Sequence, residues 1–99
     1  MAMKNFFRVL VSDKISQKAL DILKKNNIDF DYMPDCGTSD TLGKVIEPYA
    51  GLIIRSASKV SKEVIDRGKN LKVIGRAGIG VDNIDLKAAT SKGIVVMNT

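Results

Sequence analysis

At 99 residues, 44% hydrophobic and 27% charged, the chain can bury one modest core and no second one, which predicts a single globular domain. Its formal net charge of +5 comes from 16 Lys and Arg against 11 Asp and Glu. The basic residues are scattered, with Lys24 and Lys25 the only adjacent pair, and the two Tyr and three Phe are not interleaved with them, so a nucleic-acid surface is not indicated. The apolar patch FFRVLV at 6–11 is broken by Arg8 and followed by charges, unlike a secretory core or a membrane span, and the cytoplasm is the expected compartment. The single cysteine, Cys36 in PDCGTS, has no partner for an intrachain disulfide and no histidine for a metal site, and reads as an incidental thiol.

In chain order, RVLVS (8–12) reads as a first strand, followed by a helix over 16–26 that places Ala19, Ile22 and Leu23 on one face and stops at Asn26-Asn27. DFDYM (29–33) alternates in the manner of an edge strand. A helix over 39–46 follows, weakened by Gly43, and then GLIIR (51–55) as a third strand. Ser61 caps a helix whose Val64 and Ile65 face inward until Gly68; LKVIG (71–75) is the fourth strand. A last helix over 85–92 closes at Gly93, and GIVVM (93–97) is the fifth strand. Four of these strands carry unbroken aliphatic runs, as parallel strands covered on both faces do. The expected fold is therefore α/β: a flavodoxin-like, doubly wound parallel five-stranded sheet in the order 2-1-3-4-5, with helices on both faces and no helix after the fifth strand.

The stretch GRAGIGVDNID (75–85) invites comparison with a dinucleotide loop, and fails it. Gly78 and Gly80 supply two of the three glycines of G-x-G-x-x-G, but the third position is Asn83, and the acidic ribose ligand would fall at or beyond Asn98-Thr99. What the glycines can do is present backbone N–H groups to an anion; the plainer alternative is a tight turn linking a strand to a helix. Position favours a site. In a parallel sheet the carboxyl ends of the strands lie along one edge, where open α/β domains bind ligands, and there Arg55-Ser56 ends the third strand and Gly75-Arg76 the fourth. Two guanidinium forks beside exposed amides suit a small polyanion, although either arginine alone could equally serve a surface salt bridge.

LIIRSASKV (52–60) and LKVIGRAGIGVDNIDLKAATSKGIVVMNT (71–99) resemble the amino-terminal substrate-domain segment of the D-isomer-specific 2-hydroxy acid dehydrogenases, in particular the members that act on 3-phosphoglycerate. The first half of the chain matches mainly in the order of its elements and in RVLVSD. The resemblance implies NAD-dependent oxidation of 3-phosphoglycerate to 3-phosphohydroxypyruvate at the head of serine synthesis. Carried over by position, the amides of Ile79 and Gly80, with Gly78 shaping their loop, would hold the substrate carboxylate; Arg55, with Ser56 beside it, would face the phosphate end, and Arg76 would line the same pocket. Asp82 and Asn83 would organise the loop rather than touch substrate. The ligand is then a small anion, 3-phosphoglycerate or another 2-hydroxy acid, since the charge of Arg55 does not separate a phosphate from a second carboxylate.

In that family the chain crosses into a nucleotide-binding domain after an MNT-like strand and returns later to finish the first domain. Residues 1–99 therefore read as a truncated substrate-binding domain with the nucleotide-binding domain absent. The chain has no histidine, so the family's general acid/base cannot come from within it. No catalytic residue, cofactor or metal is expected in this chain, NAD belonging to the parent enzyme, and the fragment is expected to be inactive alone. The sheet face beside the first helix would be short of cover, which predicts a homodimer. A standalone flavodoxin-like signalling or anion-binding module is the competing reading. A receiver would need an acidic cluster after the first strand and an Asp ending the third, whereas Asp13 stands alone and Arg55 occupies the latter place; SDKIS (12–16) is a poor flavin phosphate loop.

Overall fold

The computed structural model describes residues 7–77 and 83–98. Within them strands and helices alternate: β1 (Arg8–Val11), α1 (Gln17–Lys25), β2 (Asp29–Tyr32), α2 (Ser39–Val45), β3 (Gly51–Ile54), α3 (Lys62–Arg67), β4 (Val73–Arg76), α4 (Leu86–Ser91) and β5 (Val95–Asn98). Every strand pair is parallel and the order is β2-β1-β3-β4-β5, so the alternating segment does lie at an edge. Each helix begins at a side chain that accepts the N–H three residues on, from Ser16, Thr38, Ser61 and Asp85, satisfying one orphan donor of the first turn.

Register lines up Leu10, Leu52, Ile74 and Val96 across four strands. On that face they meet Leu42 and Ile46 from α2 and its end, Val64 and Ile65 from α3, and Ala89 from α4, forming the main core. Full burial of each large aliphatic side chain contributes about 1.5–3 kcal/mol. Gly43 does not break α2: a Cβ there would lie 3.3 Å from the Arg67 side chain, so the small residue lets α2 and α3 approach closely. Cys36 is part of this core, and burial pushes its thiol pKa up, as suits a packing residue.

Strand ends differ from the sequence expectation by one residue in most places and by two at the starts of β4 and β5. Strand β4 starts at Val73, because the Leu71 amide turns back to the Gly68 carbonyl and closes α3; at its other end the strand includes Arg76. Strand β5 starts at Val95 because Gly93 and Ile94 belong to the end of α4. The Gly93 amide bonds Thr90 O, the Ile94 amide bonds Ala89 O, and Gly93 has φ +72°, a Schellman ending. No atom lies near a Cβ built at Gly93, so its requirement is purely one of backbone conformation. Gly93→Ala is expected to cost about 1–2 kcal/mol in urea unfolding, and an unchanged midpoint would contradict the left-handed ending.

Side chains one residue along each strand point to the opposite face. There α1 buries Leu20, while Ile22 is 52% exposed, contrary to the expectation that it faces inward with Ala19 and Leu23. The helix is turned so that Leu20 meets the sheet and the Ala19–Ile22–Leu23 edge borders an open apolar groove of about 560 Å³ over Ile53 and Ala77. Farther along the same face, Val95 and Met97 are 57% and 52% exposed. Among the described residues no helix covers β4 and β5 on this side, and none is long and apolar enough to cross a membrane.

At the other end of the sheet Arg8 grips Asp31 with both ends of its fork, at 3.0 and 2.7 Å, and the Tyr49 hydroxyl donates to the same carboxylate. The Arg8 hydrogen bond, then that of Tyr49, holds the Asp31 pKa below its ordinary value; burial, then the bond to Asp31, pushes Tyr49 up to about 12. For Asp31 the contribution to stability is present above its unfolded pKa, about 3.9, and is lost as pH falls through the lower folded value. For Tyr49 the sign is opposite: the contribution is complete below about pH 10 and is lost as pH rises towards the folded value. Comparing the unfolding free energies of wild type and Asp31→Asn should show a gap that closes on acidification; a gap independent of pH would refute the assignment.

Candidate functional site

The connections from β1 and β2 run in opposite directions across the sheet, so the carboxyl ends of β1 and β3 flank a topological switch point, where this kind of sheet leaves a crevice. A cavity of about 340 Å³ occupies that place, lined by Asp13 and Lys14 after β1, Pro34 after β2, and Arg55, Ser56 and Ala57 after β3. Arg55 and Ser56 are exposed at its mouth. Among the ion pairs of the described residues none involves Arg55, so the salt bridge that sequence alone left open for it is not made with any of them. Arg55 also borders the apolar groove beside α1, so the residue lines both a polar and an apolar recess.

The loop that carries Arg55 is held from two sides. Asp13, 2% exposed, accepts the amides of Arg55 and Ser58 on one carboxylate oxygen, the latter at 3.0 Å. Asn83 donates its side-chain NH₂ to the carbonyls of the same two residues, both at 2.7 Å. Ser12 and Ser58 hydroxyls meet at 2.7 Å in the buried floor. A parallel bridge between Val60 and Ile84 continues the connection, the Val60 amide bonding Asn83 O and the Asp85 amide bonding Val60 O, each at 2.9 Å.

Of the residues singled out from sequence, Arg55 and Ser56 come together in the switch-point cavity. Arg76 is 7% exposed at the end of β4, two strands from β1, and its Nε donates to Asn83 Oδ1 at 2.8 Å. Asn83 thus joins the Arg76 side chain to the Arg55 backbone. Gly78, Ile79, Gly80 and Asp82 lie outside the described residues. Sequence alone does not assign Lys14 or the buried Asp13 to this site, Asp13 serving there only to argue against a receiver; the available signal is a Ser-Asp-Lys run at the carboxyl end of an aliphatic strand.

These residues do not fit a nicotinamide dinucleotide. The third glycine position of the fingerprint is Asn83, whose side-chain NH₂ is committed to the Arg55 and Ser58 carbonyls, and the first turn of α4 is capped by the Asp85 carboxylate, which accepts the Ala88 amide at 3.0 Å. A pyrophosphate there would meet a negative charge in place of free amides. Among the described residues no group of three or more His, Cys, Asp or Glu could hold a metal ion.

The chain is similar to known proteins along nearly its whole length. It is 45% identical over 91 residues to D-3-phosphoglycerate dehydrogenase of Archaeoglobus fulgidus, an alignment that takes in 92% of this chain and 17% of that protein. It is 43% identical over 93 residues to hydroxypyruvate reductase of Thermotoga maritima, 94% of this chain and 30% of the relative. Among solved structures, the NAD⁺-bound 3-phosphoglycerate dehydrogenase of Entamoeba histolytica superposes with a TM-score of 0.83 at 31% identity, over 96% of this chain and 33% of that one. The chain thus spans under a fifth of the length of the Archaeoglobus relative and about a third of the length of the Entamoeba structure. The sequence profile of the D-isomer specific 2-hydroxyacid dehydrogenase catalytic domain matches residues 9–99, and the chain belongs to that family.

Proposed function

We propose that these 99 residues form a substrate-binding part of an enzyme that oxidises 3-phosphoglycerate with NAD in serine biosynthesis. The observation that carries this reading is Arg55, an exposed residue at the sheet's switch point with no ion pair to any described residue, on a loop fastened at both ends. In this reading Arg55 and Ser56 receive the phosphate end, with Lys14 across the cavity, and Arg76 lines the carboxylate side. The Ile79 and Gly80 amides, on a loop shaped by Gly78, hold the carboxylate. A planar fork suits the oxygens of either group, and fixed donors hold the substrate's hydroxyl-bearing carbon at a defined position.

What this chain does for the reaction is bind and orient. NAD bound by the parent enzyme would serve as the hydride acceptor; the histidine that the family resemblance implies for proton transfer is not among these 99 residues. Alone, the chain is inactive as a dehydrogenase, works in the cytoplasm, and pairs as a homodimer through the aliphatic face bordered by Ile22, Ile53, Val95 and Met97. The exposure of that face supports the pairing. Thermal unfolding tests the binding function: 3-phosphoglycerate should raise the midpoint beyond D-lactate and inorganic phosphate at equal ionic strength, since a ligand stabilises the state it binds. Equal midpoints in all three would reject it.

A further inference from the structure

Asn83 makes three hydrogen bonds with one amide group, to Arg55 O, to Ser58 O and from Arg76 Nε, and each partner belongs to a different part of the proposed anion site or its support. The pattern is chemically selective. Only a side-chain amide of this length can give two hydrogens from one nitrogen while its oxygen accepts a third, and the guanidinium donor fixes which way the amide faces. Asp13 completes the frame from the opposite side by accepting the amides of the same two residues. Residues 55 and 58 are thus each held at both N–H and C=O by side chains distant in sequence, while the intervening Ser56 and Ala57 remain exposed at the cavity.

We infer that Asn83, backed by Asp13, is a positioning residue that sets the spacing of Arg55 and Arg76 so that the two guanidinium groups act on one ligand carrying two anionic ends. The inference rests on the substrate-binding reading above and deepens it. Fixing the loop before binding removes an ordering cost that a ligand spanning both arginines would otherwise bear. A ligand with one anionic group needs only one arginine and gains little from their spacing.

The test compares 3-phosphoglycerate with inorganic phosphate, binding of each followed by amide and Arg Nε–H NMR shifts in wild type, Asn83→Ala, Asp13→Ala and Asp13→Asn. Loss of the amide in Asn83→Ala should weaken 3-phosphoglycerate about tenfold and phosphate less than about twofold. Asp13→Ala should act in the same direction, whereas Asp13→Asn, which keeps an acceptor oxygen for the two backbone amides, should retain the wild-type ratio. Should Asn83→Ala fail to fold, Asn83→Ser takes its place, since it adds no charge and removes the two-donor amide that bridges the loop, so the ratio of the two ligands still reports spacing. An equal loss for the two ligands, or an unchanged ratio, overturns the positioning role. Absence of saturable 3-phosphoglycerate binding in wild type overturns the substrate-binding reading and the positioning role together. The ligand-free spectra then separate the two failures: a shifted Arg76 Nε–H signal in Asn83→Ala would show a bond that is present and purely structural.

Discussion

Replacing Ile54 by alanine is expected to lower the unfolding free energy by about 2–5 kcal/mol, whereas the same change at the neighbouring Ile53 should cost under about 1.5 kcal/mol. Ile54 is fully buried among the α2, α3 and α4 side chains, so truncation there removes transfer energy and leaves a cavity. Ile53 points to the other face, where it is half-buried and borders the open groove beside α1. Urea unfolding of the two variants measures the difference directly. It also bears on assembly: in a dilute monomer the difference should be largest, and it should narrow with protein concentration as a second copy covers Ile53. Equal costs at every concentration would contradict the assignment of the two faces, and a sedimentation profile of monomer throughout would exclude the homodimer.

The second large effect is functional. Arg55→Met should weaken 3-phosphoglycerate binding by about 10–100-fold, the loss expected when charge-assisted hydrogen bonds worth about 1.5–3 kcal/mol are removed. It should leave the unfolding free energy within about 0.5 kcal/mol of wild type, because the exposed Arg55 side chain makes no ion pair with any described residue. Arg55→Lys should fall between the two, since an ammonium keeps the charge and loses the planar fork. A large loss of stability in Arg55→Met with no loss of affinity would mean that the side chain serves the fold.

The sheet was legible because its physics is local. Runs such as VLV and LII are the composition that parallel strands need when both faces are covered, and the punctuation around them is explicit: Ser16, Ser61 and Asp85 as caps, Asn26-Asn27 and Gly93 as stops. Asn27 does adopt a left-handed conformation at φ 57°, with its amide on Lys24 O and that of Ile28 on Leu23 O, which completes the ending suggested by the Asn pair. The rotation of α1 was not legible, because Ile22 and Leu20 are both apolar and only the extent of the sheet beneath the helix decides which is covered.

The site was legible only in part. Arg55 and Arg76 could be placed on one edge from strand order, but order carries no information on depth, and the buried Arg76 is bonded to Asn83, which also holds the loop after β3. Asn83 could be expected to bond nearby backbone, yet its carbonyl partners lie 28 and 25 residues away. The bonds from Arg55 and Ser58 to Asp13 span 42 and 45 residues. A lone aspartate after a strand resembles any solvated turn residue until the fold brings two unpaired amides to it.

An amide NMR titration of this chain with 3-phosphoglycerate, against D-lactate and inorganic phosphate at constant ionic strength, tests the central claim most directly. Saturable shifts are expected at Arg55, Ser56 and Lys14 together with Gly78, Ile79 and Gly80, which lactate does not reproduce. A folded spectrum with no localised shifts at the carboxyl edge of β1 and β3 would contradict a preformed site for a phosphorylated acid in these 99 residues.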